Sequence, residues 1–330
     1  MQRGLEHYER QVSLANIPRD LAFEDRVASC RVQIATRTTA INQSQTVPRS
    51  QKGFKIESWM QSSDDVSFNP EDLSTFLGRG GFATVFRGKY QGQDVAAKRF
   101  DQIILADSME WEKLIAKEIK AWQDISHEPF VLTLIGVCTK IPVPILVSEL
   151  CQTNIRRFVR DCPDAVLPMV YQFACGISSL HRANIIHRDL KGDNVLVTFR
   201  NTVAIADFGL SRTAVSLQNT HKIASGTLNW MSPEQYLTAR NVTTKFDIWS
   251  FGMTMWEIIC DKSPYHDCCA NEISEAIQTT HDRPNKPDDL SSHLEPLWTL
   301  ITKCWQKEPT ARPSIEDVIA YLESNIHQMS

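Results

Sequence analysis

Apolar positions along this chain alternate with polar ones first and recur at helical spacing later. Alternation is present within 74–77, 84–89 and 94–100, with a turn at Gln91-Gly92-Gln93. A period of two is typical of strands with one buried face. Two further strands are predicted within the apolar stretch Phe130–Leu150, where Lys140 and Pro142 indicate a turn. This part of the chain is therefore predicted to form a small sheet.

Helical spacing appears once among the strands, over Ser108–Ile125, and then dominates. Beyond Leu150 we predict helices over Val166–Arg182, Lys245–Cys260, Glu272–Thr279, Leu294–Trp305 and Ser314–Ser324. Strands followed by helices indicate an α+β fold of two lobes. One lobe is a small antiparallel sheet with one helix, and the other is larger and mainly helical.

The pattern before Leu73 is weaker. Helical spacing near the start is interrupted by Pro18, and residues 43–53 are polar, as in a linker. We predict an N-terminal extension over 1–55, which either packs as one or two helices or frays, then a linker over 56–72 and a domain over 73–327. Whether the chain is a fragment of a longer protein is left open.

Composition narrows the class of protein. Of 330 residues 42% are hydrophobic and 22% charged, and the net charge is −4, which gives no reason to expect nucleic-acid binding. Nine scattered cysteines fit free thiols in a reducing compartment. Phe130–Leu150 is about long enough to cross a bilayer but contains two charged residues and two prolines, so we expect no membrane partner. A cytoplasmic location is expected.

The candidate catalytic and metal-binding side chains lie in two short segments, His187–Val197, with the sequence HRDLKGDNVLV, and Asp207-Phe208-Gly209. Two carboxylates, an ammonium and an amide fall within 19 residues: Asp189, Lys191, Asn194 and Asp207. Phosphoryl transfer needs such a set, because one carboxylate takes a hydroxyl proton, a carboxylate and an amide hold Mg²⁺, and a cation neutralises phosphate charge. A purely structural role for these four residues is the alternative, and it is not favoured.

A glycine-rich loop lies between two of the predicted strands, with the sequence Gly78-Arg79-Gly80-Gly81-Phe82-Ala83-Thr84-Val85. Glycines let backbone N–H groups approach phosphates without an obstructing Cβ. The loop departs from G-x-G-x-x-G at Ala83, the least disruptive replacement. A plain hairpin is the alternative.

Lys98 follows this loop on a predicted strand and shares one face with Ala96. Small Ala96 leaves room for a flat base while Lys98 reaches the phosphates. Glu118 lies on the apolar face of the helix Ser108–Ile125, where an unpaired carboxylate would be costly. We therefore predict an ion pair between Lys98 and Glu118.

Residues from about 73 to 326 resemble a eukaryotic protein kinase domain, specifically the tyrosine-kinase-like group of serine/threonine kinases. The group resemblance is carried by Gly226–Glu234, Asp247–Gly252, Cys304-Trp305 and Arg312-Pro313. It implies a bilobal protein-kinase-like fold with a small lobe at about 73–147, a hinge at 148–152 and a large lobe at 153–327. ATP and Mg²⁺, or Mn²⁺ in its place, are the implied cofactors.

The resemblance also implies roles for single residues. Asp189 would be the catalytic base, Lys191 would contact the γ-phosphate, and Asn194 and Asp207 would hold the metal. Asp247 would anchor the catalytic-loop backbone. Glu234 would pair with Arg312 as a structural brace. The nucleotide would be enclosed by Leu77, the glycine loop Gly78–Ala83, Val85, Ala96, Lys98, the hinge residues Ser148, Glu149 and Cys151, and Leu196 as the floor.

The resemblance also indicates which hydroxyl group of a protein substrate receives the phosphoryl group. Kinases with Asp-Leu-Lys-x-x-Asn resemble serine/threonine enzymes, and Thr227 fits the same class, with its hydroxyl expected near Asp189 and Lys191. Dual specificity is the alternative. Asp193 either attracts a basic residue of a protein substrate or is simply solvated, and solvation is favoured.

An active kinase is favoured over a pseudokinase or scaffold that binds nucleotide or partners without efficient catalysis, because Lys98, Asp189 and Asp207 are all retained. An interaction protein that acts through residues 1–55 is a third alternative, and no motif supports it.

Regulation is expected in the segment after Gly209. Residues 210–231 contain no Asp or Glu, while Arg188 precedes the catalytic Asp. Phosphorylation by an upstream kinase or by trans-autophosphorylation would supply an anion for Arg188. Thr220 and Ser225 are the favoured sites, and Thr213 and Ser216 are the less favoured alternatives. A segment ordered by packing alone is the alternative.

Overall fold

The protein, seen as a computed structural model, divides its secondary structure between a sheet-rich part and a helical part. The structure describes residues 66–80, 83–100, 119, 122–138, 144–207, 228–237 and 243–329. Outside these residues lie the predicted extension, residues 56–65 of the predicted linker and most of the helix predicted over Ser108–Ile125. Of that helix, residues 119 and 122–125 are helical.

The first sheet is antiparallel throughout and is built from strands β1 to β6. These are β1 Val66–Ser67, β2 Phe76–Arg79, β3 Thr84–Tyr90, β4 Gln93–Arg99, β5 Leu134–Cys138 and β6 Ile145–Glu149. Their order is β1-β3-β4-β6-β5, and β2 also pairs with β3. Alternation buries one face, where Val95, Ala97 and Val147 lie in a shared core.

Two strand predictions in this lobe have different outcomes. Phe130–Leu150 contains two strands, as predicted, and they pair with each other. The strand predicted from Ser74 begins two residues later, because Leu73–Thr75 is a 3-10 helix. Asp72 causes the difference: its side chain accepts the N–H of Ser74 at 2.9 Å and caps that helical turn.

A second antiparallel sheet consists of β7 Cys151–Asn154, β8 Val195–Thr198 and β9 Val203–Ile205, in that order. Val131 joins it through a parallel bridge to Ile205. Ile205 N donates to Phe130 O, and Leu132 N donates to Ile205 O, each at 2.9 Å. The chain preceding β5 is therefore hydrogen-bonded to the second sheet.

The remaining described chain is mainly helical. The helices are α1 Ile155–Asp161, α2 Val166–Arg182, α3 Pro233–Leu237, α4 Lys245–Cys260, α5 Ala270–Glu275, α6 Glu295–Cys304 and α7 Ile315–Met329. In α4 every residue from Phe246 to Ile258 is buried, so it is the central helix of this part. Gly176 of α2 packs closely: a Cβ there would lie 2.7 Å from Ile205 Cδ1 and 2.9 Å from Phe130 O.

The predicted bounds of α2 and α4 are confirmed, and the others shift. The helix predicted from Glu272 begins at Ala270, because the Glu272 carboxylate accepts Cys269 N at 2.7 Å in a capping box. Its second half, Ala276–Thr280, is a π-helix that ends at His281 with φ 60°. Helix α7 continues five residues beyond the predicted end at Ser324.

These elements confirm the predicted α+β class, with an antiparallel sheet lobe and a mainly helical lobe. Among the residues that the structure describes, no helix is both long and apolar enough to cross a lipid bilayer.

Candidate functional site

The loop that carries Asp189 is held from below by Asp247, which is fully buried on α4. The Asp247 carboxylate accepts His187 N at 2.9 Å and Arg188 N at 2.8 Å, and His181 Nε2 lies 2.9 Å away. A buried carboxylate is costly unless it is hydrogen-bonded, and here each oxygen has a partner. These bonds also hold Arg188 in the left-handed region, with φ 71°. The anchoring contact expected of Asp247 is thus present.

Asp189, Lys191 and Asn194 converge within this loop. Asn194 Nδ2 donates to Asp189 O at 2.7 Å and to Asp189 Oδ2 at 3.0 Å. Lys191 Nζ lies 3.3 Å from Asp189 Oδ2. About four-fifths of each of the Asp189 and Lys191 side chains is shielded from solvent, with 19% and 21% exposed. The carboxylate is therefore oriented from two sides.

Asp207 follows β9 and is brought beside this loop by the backbone. Ala206 N donates to Asn194 O at 2.8 Å, and His187 Nε2 lies 2.8 Å from Ala206 O. Asp207 itself has φ 61°, a left-handed conformation that Asp tolerates better than most residues. This backbone turn places its carboxylate against Lys98.

The ion pair between Lys98 and Asp207 links the first sheet to the large lobe. Burial favours the neutral acid, but the Lys98 ammonium, aided by His187 and Lys191, outweighs it, and the pKa of Asp207 lies below its usual value. Sequence reasoning did not predict this pair. Glu118, the predicted partner of Lys98, lies outside the described residues, so the Lys98–Glu118 pair stays a prediction.

Four of the predicted nucleotide contacts, Val85, Ala96, Lys98 and Ser148, share one face of the first sheet. Lys98 is opposite Val85, and Ala96 is opposite Ser148, in neighbouring antiparallel strands. Directly paired residues point to the same face. Beyond β6, Cys151 is opposite Thr198 and Leu196 is opposite Asn154. Glu149 turns its side chain away from that face, because its Oε1 accepts Thr133 N at 3.0 Å.

The glycine loop closes over the end of the β2–β3 hairpin. Gly80 N donates to Ala83 O at 2.8 Å, while Gly81 and Phe82 lie outside the described residues. A Cβ added at Gly78 would have no atom within 4 Å. Open space beside the backbone at this glycine is what close approach of a ligand requires. Leu77 and Arg79, on β2, flank it and are exposed.

The donor set beside Asp189 fits Mg²⁺ held jointly with a nucleotide. Asn194 Nδ2 is used by Asp189, so the amide oxygen is the atom that would face a cation, together with the Asp207 carboxylate. Within the described residues no cluster of three His, Cys, Asp or Glu could hold a metal alone. Mg²⁺ sites with one or two protein oxygens, completed by phosphates and water, have this composition.

Contacts expected near the acceptor are partly described. Arg312 is buried and forms a bidentate ion pair with Glu234, as expected of a structural brace. Its Nη1 donates to Oε1 at 2.5 Å and its Nη2 to Oε2 at 2.9 Å. Asp193 is exposed and accepts Asn154 Nδ2 at 3.0 Å. Phe208, Thr227 and residues 210–226 lie outside the described residues.

Sequence reasoning missed two further groups beside this loop, of which Glu257 of α4 is the first. It is buried and accepts the backbone N–H of Gly192 at 2.8 Å. The signal was available, since Glu257 stands on an apolar helix, as Glu118 is predicted to do. Gln235 was also missed; its Nε2 donates to Arg188 O at 2.8 Å and adds a second support for the loop.

Comparison with known proteins gives a consistent result. The family model described as protein tyrosine and serine/threonine kinase matches residues 72–322. The chain is 33% identical over 302 residues to the dual specificity protein kinase shkA of Dictyostelium discoideum, covering 84% of this chain and 54% of that protein. It is 30% identical over 279 residues to mitogen-activated protein kinase kinase kinase 12 of Rattus norvegicus, covering 82% and 30%. This chain therefore spans about half or less of the length of these relatives.

Proposed function

The chain belongs to the family of protein tyrosine and serine/threonine kinases, as its motifs predicted, and on that premise we propose that it transfers the γ-phosphoryl group of ATP to Ser and Thr hydroxyls of protein substrates. The observation that carries the proposal is the convergence of Asp189, Lys191 and Asn194 beside the Lys98–Asp207 pair. Two carboxylates, an amide and two ammonium groups around one space are the groups that phosphoryl transfer requires.

Asp189 is the base in this proposal. Its carboxylate accepts the proton of the acceptor hydroxyl as that oxygen bonds to the γ-phosphorus and the bond from phosphorus to the β-phosphate oxygen breaks. The leaving ADP takes the electron pair of that bond. Lys191, 3.3 Å from the base, neutralises negative charge on the transferring group.

Nucleotide binding falls to the face of the first sheet and the segment that follows it. Ala96 and Val85 would cover the base from above and Leu196 from below. Ser148 would be a small gatekeeper that opens a pocket behind the base, while the hinge residues Glu149 and Cys151 would offer backbone groups to its edge. Lys98 would contact the phosphates, and Asn194 and Asp207 would hold Mg²⁺. The bound metal supplies charge neutralisation on the phosphates and fixes their orientation.

A pseudokinase is not favoured, because all five groups are retained: Asp189 contacts Lys191 and Asn194, and Lys98 pairs with Asp207. Dual specificity is the second candidate, since the Dictyostelium relatives shkA and shkC are named dual specificity protein kinases. Lys191 favours Ser and Thr. We place the protein in the cytoplasm, which the free thiols of the described cysteines support.

The test compares the parent chain with Asp189→Asn, using radiolabelled ATP, Mg²⁺ and generic protein acceptors. Asp189→Asn is expected to cut turnover by about 10²–10⁴ while nucleotide binding is kept, because a positioned base contributes that share. The exposed Asp288→Asn is the matched control and should leave turnover unchanged. Transfer by Asp189→Asn within a few-fold of the parent would contradict the role of Asp189.

Phosphoamino-acid analysis of the same products decides between the two specificities. Phosphoserine and phosphothreonine alone support the proposal, whereas a substantial phosphotyrosine fraction from the parent chain, absent with Asp189→Asn, would establish dual specificity instead.

A further inference from the structure

Glu257 connects three segments of the large lobe through one carboxylate. Its Oε2 accepts Gly192 N at 2.8 Å and Trp230 Nε1 at 2.9 Å, and its Oε1 lies 3.4 Å from Arg156 Nη1. The residue is 2% exposed, and burial raises its pKa, while the hydrogen bonds from Gly192 and Trp230 and the Arg156 charge oppose that rise. Without this acceptor the buried Gly192 and Trp230 donors would be left unpaired, which is costly.

The backbone at Gly192 lies closer to the Glu257 carboxylate than a residue with a Cβ atom would allow. A Cβ at position 192 would lie 2.7 Å from Glu257 Oε1 and 2.9 Å from its Cδ. Gly192 directly follows Lys191 and stands two residues before Asn194. The hydrogen bond to Glu257 therefore fixes the backbone between the cation and the amide of the site.

The contact with Trp230 fixes a different part of the chain. Trp230 ends the 3-10 helix Leu228–Trp230, which directly follows Thr227, the residue expected beside Asp189. Its indole donates to Glu257, and its carbonyl oxygen accepts Ser250 Oγ at 2.8 Å, so both ends of the residue are bound to α4. Asn229 Nδ2 adds a hydrogen bond of 2.5 Å to Pro264 O.

We propose that Glu257 is a positioning residue for phosphoryl transfer: it joins the loop that carries Asp189 and Lys191 to the segment that follows Thr227. The base and the acceptor-binding segment then keep one relative geometry. This inference rests on the proposed function, because the geometry it maintains matters only to a reaction at Asp189. Misplacing a catalytic group by about 1 Å costs about 10²-fold in rate.

The test measures kcat and the KM for ATP of Glu257→Met and Glu257→Gln, per folded molecule. Met removes both acceptor oxygens, and kcat is expected to fall about 10- to 100-fold with the KM for ATP unchanged. Gln can place its carbonyl oxygen where Oε2 lies, so its kcat is expected to stay within about threefold of the parent. The exposed Glu316→Met is the matched control and should match the parent in both constants.

Gly192→Ala provides a second, independent variant. Its Cβ would displace the carboxylate, so kcat is expected to fall as in Glu257→Met. Because both changes remove one contact, the double variant Gly192→Ala/Glu257→Met should be no slower than the slower single variant. Losses that multiply in the double variant would show two separate effects and overturn the proposal.

Nuclear magnetic resonance reads the hydrogen bond directly. The protein is labelled with ¹³C at the lysine carbonyl carbons and with ¹⁵N at the glycine amides. Only the amide signals of glycines that directly follow a lysine are then selected, and the sequence has two such pairs, Lys52-Gly53 and Lys191-Gly192. The Gly192 amide proton should shift upfield in Glu257→Gln, where a charged acceptor becomes neutral, and the Gly53 signal should not move. A Gly192 signal that stays in place would overturn the proposal.

The outcomes separate this inference from the proposed function. Absence of transfer by the parent chain overturns the proposed function, and the positioning role with it, while the Gly192 shift remains measurable. An active parent with an equally fast, folded Glu257→Met overturns the positioning role alone. A kcat loss that disappears when turnover is divided by the folded fraction, measured by circular dichroism, also overturns it.

Discussion

At the scale of single residues, the Lys98–Asp207 pair shows how one contact sets the charge state of the site. Lys98 lies on β4 and Asp207 directly after β9, so the pair is formed by residues 109 positions apart. The ammonium keeps the pKa of Asp207 low although this half-buried carboxylate is partly desolvated, so the carboxylate is ionised at neutral pH. An ionised Asp207 is the form that a divalent cation would bind.

Lys98→Met is expected to lower turnover by about 10² or more, because it removes one preorganised cation from the phosphate side. Calorimetric titration with Mg²⁺ and ATP should show weaker binding as well. Lys89→Met, which removes an exposed lysine of β3, is the matched control and should behave as the parent does. Parent-like turnover with Lys98→Met would contradict the role of Lys98.

The same variant has a signature in stability. A carboxylate with a lowered pKa stabilises the folded state above its unfolded pKa, and that contribution is lost as pH falls through the folded pKa. The Tm difference between parent and Lys98→Met is therefore expected to persist between about pH 5 and 8 and to shrink below about pH 3.9. A difference that grows on acidification would contradict the assigned pair.

At the scale of elements, α4 is the support of the candidate site. Asp247 near its first turn holds the backbone of His187 and Arg188, and Glu257 near its last turn holds Gly192. Ten residues make about 2.8 helical turns, so the two carboxylates lie within about 80° of each other around the helix axis. The loop that carries Asp189 thus spans two fixed points on one rigid element.

Asp247→Asn is expected to reduce both stability and turnover. Both Asp247 oxygens accept hydrogen bonds, so an amide NH₂ group would face a donor in either orientation. Urea unfolding should show a loss of about 1.5–3 kcal/mol, the range for hydrogen bonds to a charged group. The exposed Asp164→Asn is the control, and equal stability of both variants would contradict the anchoring role.

The predicted helix bounds were correct where a long apolar pattern alone determines where the helix begins and ends. The bounds of α2 and α4 followed from long apolar periods, because packing of those faces determines where the helices begin and end. The start of α5 was wrong because a side-chain cap at Glu272 extends the helix, and the π-turn after it leaves no mark on the apolar pattern. Local hydrogen bonds therefore limited the prediction of boundaries.

Site prediction followed a similar division. The loop motif brought together Asp189, Lys191 and Asn194 because they are neighbours in the sequence. The Lys98–Asp207 pair joins two lobes and depends on how these are placed, which spacing along the chain does not encode. Glu257 could have been found, since a carboxylate on a buried helix requires a partner.

At the scale of the whole molecule, the sheet-rich part and the helical part meet at few places in the described chain. Leu150 is the residue between β6 of the first sheet and β7 of the second. The bridge between Val131 and Ile205 forms another connection. Lys98 and Asp207 face each other across the space between the parts.

Activity of the whole molecule is expected to depend on phosphorylation between Gly209 and Ser232. Residues 210–231 carry no acidic side chain, and a phosphate on Thr220 or Ser225 would give Arg188 a strong acceptor. Turnover should fall severalfold after phosphatase treatment and return with added upstream kinase or prolonged incubation with ATP. Thr220→Ala/Ser225→Ala should resist reactivation, whereas full activity of a protein shown by mass spectrometry to be unmodified here would contradict the prediction.

The bridge between Val131 and Ile205 has a consequence for motion. A body attached at two points keeps one rotational degree of freedom, about the line through those points. With Leu150 and Val131 as the two points, we expect the space between the two parts to open as a swing about a single axis, and the separation of Lys98 from Asp207 to change with that swing. Gly176 lies against this axis at Phe130 and Ile205, where even a methyl group would act as a wedge.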